Sequence, residues 1–291
     1  MSEHNRILVP VDYSPQSLIA LEQAANLAKV FNAELTILKI AETSSVTSFL
    51  STKHMDEFSA ALEVQLKDFT ADQVKKYGVA MTPLLKKGKV YEAIVETAEE
   101  IKATFIVMGT SGSESGMKRF IGSNALRVVR ESKIPVITIK GQHHRKGCQN
   151  IILPLDLTKE TKEKVGKAIE FSKRFGSTIR VVSVLFTSDE FIVNRLTRQL
   201  DQVKKFIEKA GVECSAEIIK STKGNESLAE VIIDYGNKAK GDLVIIMTQQ
   251  ENDYTEYFIG SSAQGIINHS DIPVLSIIPQ PSKDTTVFTP Y

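Results

Sequence analysis

Three glycines and one aspartate are the residues of this chain best suited to holding a small anion. The segment Met108-Gly109-Thr110-Ser111-Gly112-Ser113-Glu114-Ser115-Gly116-Met117-Lys118-Arg119-Phe120-Ile121-Gly122-Ser123 carries glycine at 109, 112 and 122. Without a Cβ, backbone N–H groups there can approach a phosphate closely. Gly122-Ser123 then opens a helix, whose free amides and positive dipole end favour negative charge, and Ser123 adds a hydroxyl donor. Asp12 follows the apolar run Ile7–Val11. It can order the next turn, as aspartate does often, or face a ligand. Its counterpart Asp156 gives the structural role weight. Neither the Walker spacing nor G-x-G-x-x-G is present.

Other reactive types are poorly placed. Cys148 and Cys214 are too few and too scattered for a disulfide framework or a zinc site, and both read as ordinary thiols. His143 and His144 are neighbours in a polar linker and point apart if extended. Lys118 and Arg119 read as solvated loop charges. Lysine plus arginine (36) nearly balances aspartate plus glutamate (35), leaving +1. That excludes a strongly basic field for nucleic acid or an anionic membrane. No window approaches the roughly 20 apolar residues of a membrane span. The run Ile7–Val11 is too short for a signal core, so the expected compartment is the cytoplasm.

These residues must be held by a repeated scaffold. Arg6-Ile7-Leu8-Val9-Pro10-Val11-Asp12 recurs as Asn150-Ile151-Ile152-Leu153-Pro154-Leu155-Asp156. Phe120-Ile121-Gly122-Ser123-Asn124-Ala125 recurs as Phe258-Ile259-Gly260-Ser261-Ser262-Ala263, and Ile134-Pro135-Val136 as Ile272-Pro273-Val274. A period of about 140 residues means duplicated domains, since solenoid units run 20–50. The expected domains are 1–142 and 148–280, with a tail over 281–291.

Within the first half the apolar pattern alternates between two periods. Ile7–Val11 reads as a strand buried on both faces. Ser14-Pro15 supplies an N-cap and an N1 proline, and Leu18, Leu21, Ala25, Ala28 and Phe31 follow at helical spacing. Asn32 ends that helix and Leu35–Ile40 is strand two. A long helix over about His54–Tyr77, strand three near Val79–Leu85 and a helix near Val90–Ile101 come next. Strand four is Phe105–Met108, helix four starts at Gly122-Ser123, and strand five is Val136–Ile139. Strands separated by helices give an α/β fold with a parallel sheet covered on both faces. In such sheets ligands bind at strand carboxyl ends where the winding reverses. If strands one and four flank that reversal, Pro10-Val11-Asp12 and Gly109–Gly112 share one crevice.

The pattern G-x2-G-x9-G-[ST] after strand four, with the opening Ile7-Leu8-Val9-Pro10-Val11-Asp12 and Ser14, resembles the ATP-binding branch of the universal stress protein family. The resemblance covers both halves. It implies two tandem doubly wound five-stranded parallel-sheet domains with strand order 3-2-1-4-5. It also implies that Asp12 contacts the ribose and adenine region beside Pro10, and that Ile40 faces the adenine ring. Met108 and Gly109 would line the floor, while Gly112, Gly122, Ser123, Asn124 and Ala125 surround the phosphates. The implied ligand is ATP, or AMP or ADP, with Mg or Mn bridging the phosphates. In the second half Met247 replaces Gly109 and Gln250 replaces Gly112. Side chains there stand where phosphates need bare backbone. Either that site is lost and the domain serves for packing, the favoured reading, or it holds something smaller or different.

The expected function is a cytoplasmic stress-response protein that uses ATP occupancy of its first half as a signal. A slow ATPase or phosphoryl-transfer enzyme is the alternative, and it lacks a Walker lysine and a metal-holding aspartate pair. A ligand-free scaffold and a flavodoxin-like carrier are further readings; the latter lacks loop aromatics beyond Tyr13 and Phe120. By resemblance the fifth strands, Val136–Ile139 and Val274–Ile277, pair within the chain as a pseudo-dimer, with a homodimer as a further expectation.

Overall fold

The computed structural model describes residues 5–42, 52–110, 122–141, 147–155, 161–186, 189–221, 227–248 and 259–278. The chain divides into two compact units, Met1–Lys146 and Gly147–Tyr291. Each alternates strand and helix. The first unit runs β1 (Asn5–Pro10), α1 (Pro15–Phe31), β2 (Ala33–Glu42), α2 (Thr52–Tyr77), β3 (Met81–Gly88), α3 (Val90–Glu100), β4 (Phe105–Gly109), α4 (Ser123–Glu131) and β5 (Val136–Ile139). The second runs β6 (Asn150–Pro154), α5 (Thr161–Phe175), β7 (Thr178–Leu185), α6 (Glu190–Lys209), β8 (Cys214–Lys220), α7 (Leu228–Lys238), β9 (Leu243–Met247), α8 (Ser261–His269) and β10 (Val274–Ile277).

In the first unit the strand order is β3-β2-β1-β4-β5, with every neighbour parallel. The second repeats it as β8-β7-β6-β9-β10. Both are doubly wound five-stranded sheets, as expected. The central strands carry unbroken apolar runs because helices cover both faces. Ile7, Leu8 and Val9 of β1 and Phe105, Ile106 and Val107 of β4 are fully buried. Phe31, closing α1, meets Phe105 edge to face with ring centroids 5.2 Å apart.

Local chemistry fixes the ends of α1. The Ser14 hydroxyl accepts from the Ser17 amide at 3.3 Å, and Pro15 takes the first helical position. Asn32 terminates it in the left-handed region, φ 48°. The buried stripe differs from the expected one. Leu18 lies on the outer side, 38% exposed, while Ala20 and Ala24 turn inward beside Leu21, Ala25 and Ala28. Small residues on that stripe let the helix axis approach the sheet, and the apolar spacing alone does not separate the two faces. Strand three also runs later than expected, ending at Gly88, whose φ of +137° only glycine adopts readily.

The register explains where each sheet opens. β1 pairs with β2 as far as Pro10↔Leu38, but with β4 only over Ile7↔Phe105 and Leu8↔Ile106. Beyond that point the Val11 amide bonds Leu38 O at 2.8 Å and the Thr110 amide bonds Ile139 O at 3.1 Å. The two carboxyl ends therefore lean apart. In the second unit β6 and β9 pair over Ile151↔Leu243 and Ile152↔Val244. Leu155 there turns to Val182 O (2.8 Å) and Thr248 to Ile277 O (3.0 Å).

Neither cysteine is bonded to the other, and both are buried. Burial pushes the Cys214 thiol up to about 11, with Glu208 adding to the shift. Thiolate is the nucleophile, so a thiol reagent at pH 7 should label Cys214 in the folded chain far more slowly than in denaturant. Equal labelling rates would contradict this packing. Among the described residues no helix is long and apolar enough to cross a membrane.

Candidate functional site

The parting of β1 and β4 leaves a crevice of about 260 Å³. Its walls come from the ends of β1, β2 and β4 and from the heads of α1, α3 and α4. Nine of the ten residues singled out from the sequence line it: Pro10, Asp12, Ile40, Met108, Gly109, Gly122, Ser123, Asn124 and Ala125. The tenth, Gly112, lies outside the described residues, as do Lys118 and Arg119. The glycines, however, have more specific duties than bare backbone.

Gly109 is a packing requirement first. A Cβ there would stand 2.9 Å from the backbone carbon and 3.0 Å from the carbonyl oxygen of Gln16 in the first turn of α1. The glycine thus lets β4 touch the helix that carries the site's polar residues. Gly122 is the N-cap of α4, and its amide is already spent on the Thr110 carbonyl. A Cβ at 122 would stand 3.2 Å from that same oxygen. The amides left without a partner inside α4 are those of Ser123, Asn124 and Ala125, because the first turn has no acceptor behind it. Among the described residues no side chain caps this end. The helix dipole adds a partial positive charge there.

Asp12 has both roles weighed for it. Its Oδ1 accepts from the Ser14 amide at 2.9 Å and the Ser14 hydroxyl at 2.5 Å, closing the turn into α1. The residue is nonetheless exposed and lines the crevice. Burial pushes its carboxyl up, yet the Ser14 hydroxyl and amide, the Ser17 hydroxyl and the Lys39 ammonium outweigh this and hold it below the usual carboxylate range. It is therefore ionised at neutral pH. The sign for pH follows: a depressed carboxyl supplies its contribution above the unfolded value and loses it as pH falls through the folded one. Asp12-dependent stability and binding should accordingly stay level from neutrality down to about pH 5 and decline below about pH 4. A decline centred near pH 6 in a binding titration would point to another group.

Sequence reasoning missed the polar wall beside Asp12. Ser14 was expected only as a cap; it lines the crevice together with Ser17, Lys39, Glu42 and Thr110. Lys39 had a visible signal, as the one cation inside the apolar run Leu35–Ala41. Its Nζ lies 4.5 Å from the centroid of the Tyr13 ring, a cation–π contact. Burial lowers its pKa, and Asp12 and Glu42 oppose that by favouring the charged form. Tyr13 adopts a left-handed backbone, φ 66°, uncommon for a bulky residue. It meets Phe69 of α2 edge to face at 5.0 Å. Strain beside Asp12 is thus held by a ring contact and a cation.

The second unit keeps the corresponding crevice, about 290 Å³. Met247 lines it in place of Gly109, with Gly260, Ser261, Ser262 and Ala263 at the head of α8. The expected loss of a site has not closed the space. Asp156 and Gln250 fall outside the described residues. Among the described residues, no group of three or more His, Cys, Asp or Glu could hold a metal ion.

Each unit is a doubly wound α/β sheet with a crevice at the strand carboxyl ends where its winding reverses. The chain belongs to the universal stress protein family, whose sequence pattern matches residues 3–140 and again 147–277. A universal stress protein of Methanocaldococcus jannaschii is 32% identical over 142 residues, covering 47% of this chain and 82% of the relative. One from Mycobacterium bovis is 21% identical over 282 residues, covering 88% of this chain and 94% of its own length. Among solved structures, a universal stress protein from Archaeoglobus fulgidus superposes with a TM-score of 0.75 at 18% identity, over 95% of this chain and 97% of that one.

Proposed function

We propose that the first unit binds an adenine nucleotide, ATP in the cell, and that occupancy is the signal of a cytoplasmic stress-response protein. The observation that carries this reading is the meeting of an ionised Asp12 with the Ser123–Ala125 amides, which have no acceptor within α4, across one crevice. A carboxylate suits sugar hydroxyls, which donate to it. Helix-head amides suit phosphate oxygens, which accept. The apolar positions Ile40, Val90, Ile94 and Met108 offer surface for a base between these poles. In this reading the nucleoside takes the crevice of about 260 Å³, and the phosphates lie at the head of α4.

A Mg or Mn ion would be held mainly by the phosphates themselves. Phosphoryl transfer needs a positioned base and strong charge neutralisation at the transferred group. Among the described residues the crevice lining supplies one lysine, Lys39, which is engaged with Tyr13, Asp12 and Glu42. Regulation by binding therefore ranks above turnover. The experiment is a thermal melt of the full chain with rising ATP and Mg. A ligand of the folded state stabilises by about 2.7 kcal/mol at a hundredfold excess over Kd. A melt that ATP leaves unmoved at millimolar concentration would count against the reading.

A further inference from the structure

The third and fourth helices of the first unit carry an arginine–tyrosine pair that the second unit lacks. Tyr91 of α3 lies under Arg127 of α4, the guanidinium carbon 4.9 Å from the ring centroid, a cation–π contact. Lys89 Nζ and the Tyr91 hydroxyl donate to Glu92 Oε1 at 2.9 and 2.8 Å. The repeat puts Ser227 at the place of Lys89, Ala229 at that of Tyr91 and Gly265 at that of Arg127. Glu92 and Glu96 keep their acid as Glu230 and Asp234. Two cations and a ring are gone, and both carboxylates stay.

Helices α7 and α8 meet closely at the two small residues. A Cβ on Gly265 would stand 2.8 Å from the Ala229 Cβ. Both line a groove of about 780 Å³, together with Glu230, Ile233, Asp234 and His269. Glu230 Oε2 accepts from the Ser227 amide and hydroxyl at 2.8 and 2.9 Å, and His269 Nδ1 lies 2.9 Å from Gly265 O. Asp234, one turn further along α7, is exposed. What the groove lacks, α6 presents. Leu200, Val203 and Ile207 bury one side of that helix. Phe191 and Arg195, four residues apart, share the other side. Phe191 is 71% exposed and Arg195 is exposed beside it. Phenylalanine and arginine are enriched where protein surfaces meet.

We propose that the α7–α8 groove receives α6 of a second copy of this chain, with Phe191 over the Ala229–Gly265 contact and Arg195 against Asp234. Charge and kind identify the occupant: α6 returns the ring and the cation that the first unit carries at the same place. The two surfaces lie on opposite faces of the sheet. Helix α6 leads outward from β7 to β8, while α7 and α8 lead back through β9 to β10. Right-handed crossovers running in opposite directions cover opposite faces. A patch on one face that meets a patch on the other makes a head-to-tail contact, which adds further copies instead of closing a pair. The contact is independent of nucleotide binding by the first unit.

The test is sedimentation velocity of the full chain at rising concentration, with the methyl resonance of Ile233 as the local reporter. The average mass should climb past two chains, and the Ile233 resonance should shift with it. Phe191→Ala should weaken association at least about tenfold. Arg195→Glu and Asp234→Lys should do the same, each by setting like charges face to face. A chain carrying both reversals should associate again, and so should an equimolar mixture of the two single variants. All three positions are exposed, so the fold should hold. A mass that stays constant or stops at two chains overturns the proposal. So does association that Phe191→Ala leaves unchanged, an unmoved Ile233, or a pair of reversals that fails to restore it.

Discussion

Gly109→Ala destabilises the first unit by about 1–3 kcal/mol, the range for forcing an extra group into a packed position, and weakens nucleotide binding with it. The reason is which atoms the new methyl meets. They are the carbonyl carbon, carbonyl oxygen and Cβ of Gln16, 2.9–3.0 Å away, and no rotamer change can move them. Either α1 retreats from β4 or β4 bends. Both shifts displace the turn Asp12–Ser14 that α1 anchors and that faces the ligand. Chemical denaturation monitored in the first unit reads the stability change, and calorimetry reads the affinity. Met247 occupies the corresponding place in the second unit, so its smaller substitution Met247→Ala should leave the first unit's transition where it was. If Gly109→Ala melts and binds like the parent, the close approach of α1 to β4 is not real.

Asp12→Ala should cost about 1.5–3 kcal/mol of nucleotide binding, roughly a 10- to 150-fold loss, the value of a hydrogen bond to a charged group. The substitution alone is ambiguous, because Oδ1 also closes the turn on Ser14. Asp12→Asn separates the roles. An asparagine carbonyl can still accept from the Ser14 amide and hydroxyl, so the fold should persist. It loses the charge and part of the acceptor strength, so affinity should fall with stability nearly unchanged. Matched affinity of Asp12→Asn and the parent would assign the carboxylate to the turn alone.

Much of the first unit was legible because its signals are local. Ser14-Pro15, the unbroken run Ile7–Val11 and the Gly122-Ser123 helix start each act within a few residues, and each element stands where its signal predicted. Leu18 was misread because an alanine-rich helix shows two plausible apolar stripes, and only contact with the sheet selects between them. The hydrogen bond from Gly122 to Thr110 was invisible for a different reason. Its partners are far apart in sequence, and whether a glycine amide faces a ligand or its own chain is set by tertiary placement and not by neighbouring residue types. Lys164 is the plainest case. In Thr161-Lys162-Glu163-Lys164-Val165 it looks like any solvated helix lysine, and only the placement of α5 over the end of β6 buries it. Charge within an exposed-looking helix carries no sequence mark of its surroundings.

The central claim is that a nucleotide engages the head of α4 in the first unit and not its copy at the head of α8. Following backbone amide resonances during an ATP titration addresses this directly. Displacement at Asp12 and Ser123–Ala125, with Ser261–Ala263 unmoved, is the predicted result. Movement of Ser261–Ala263 instead, or silence at both helix heads, would contradict it.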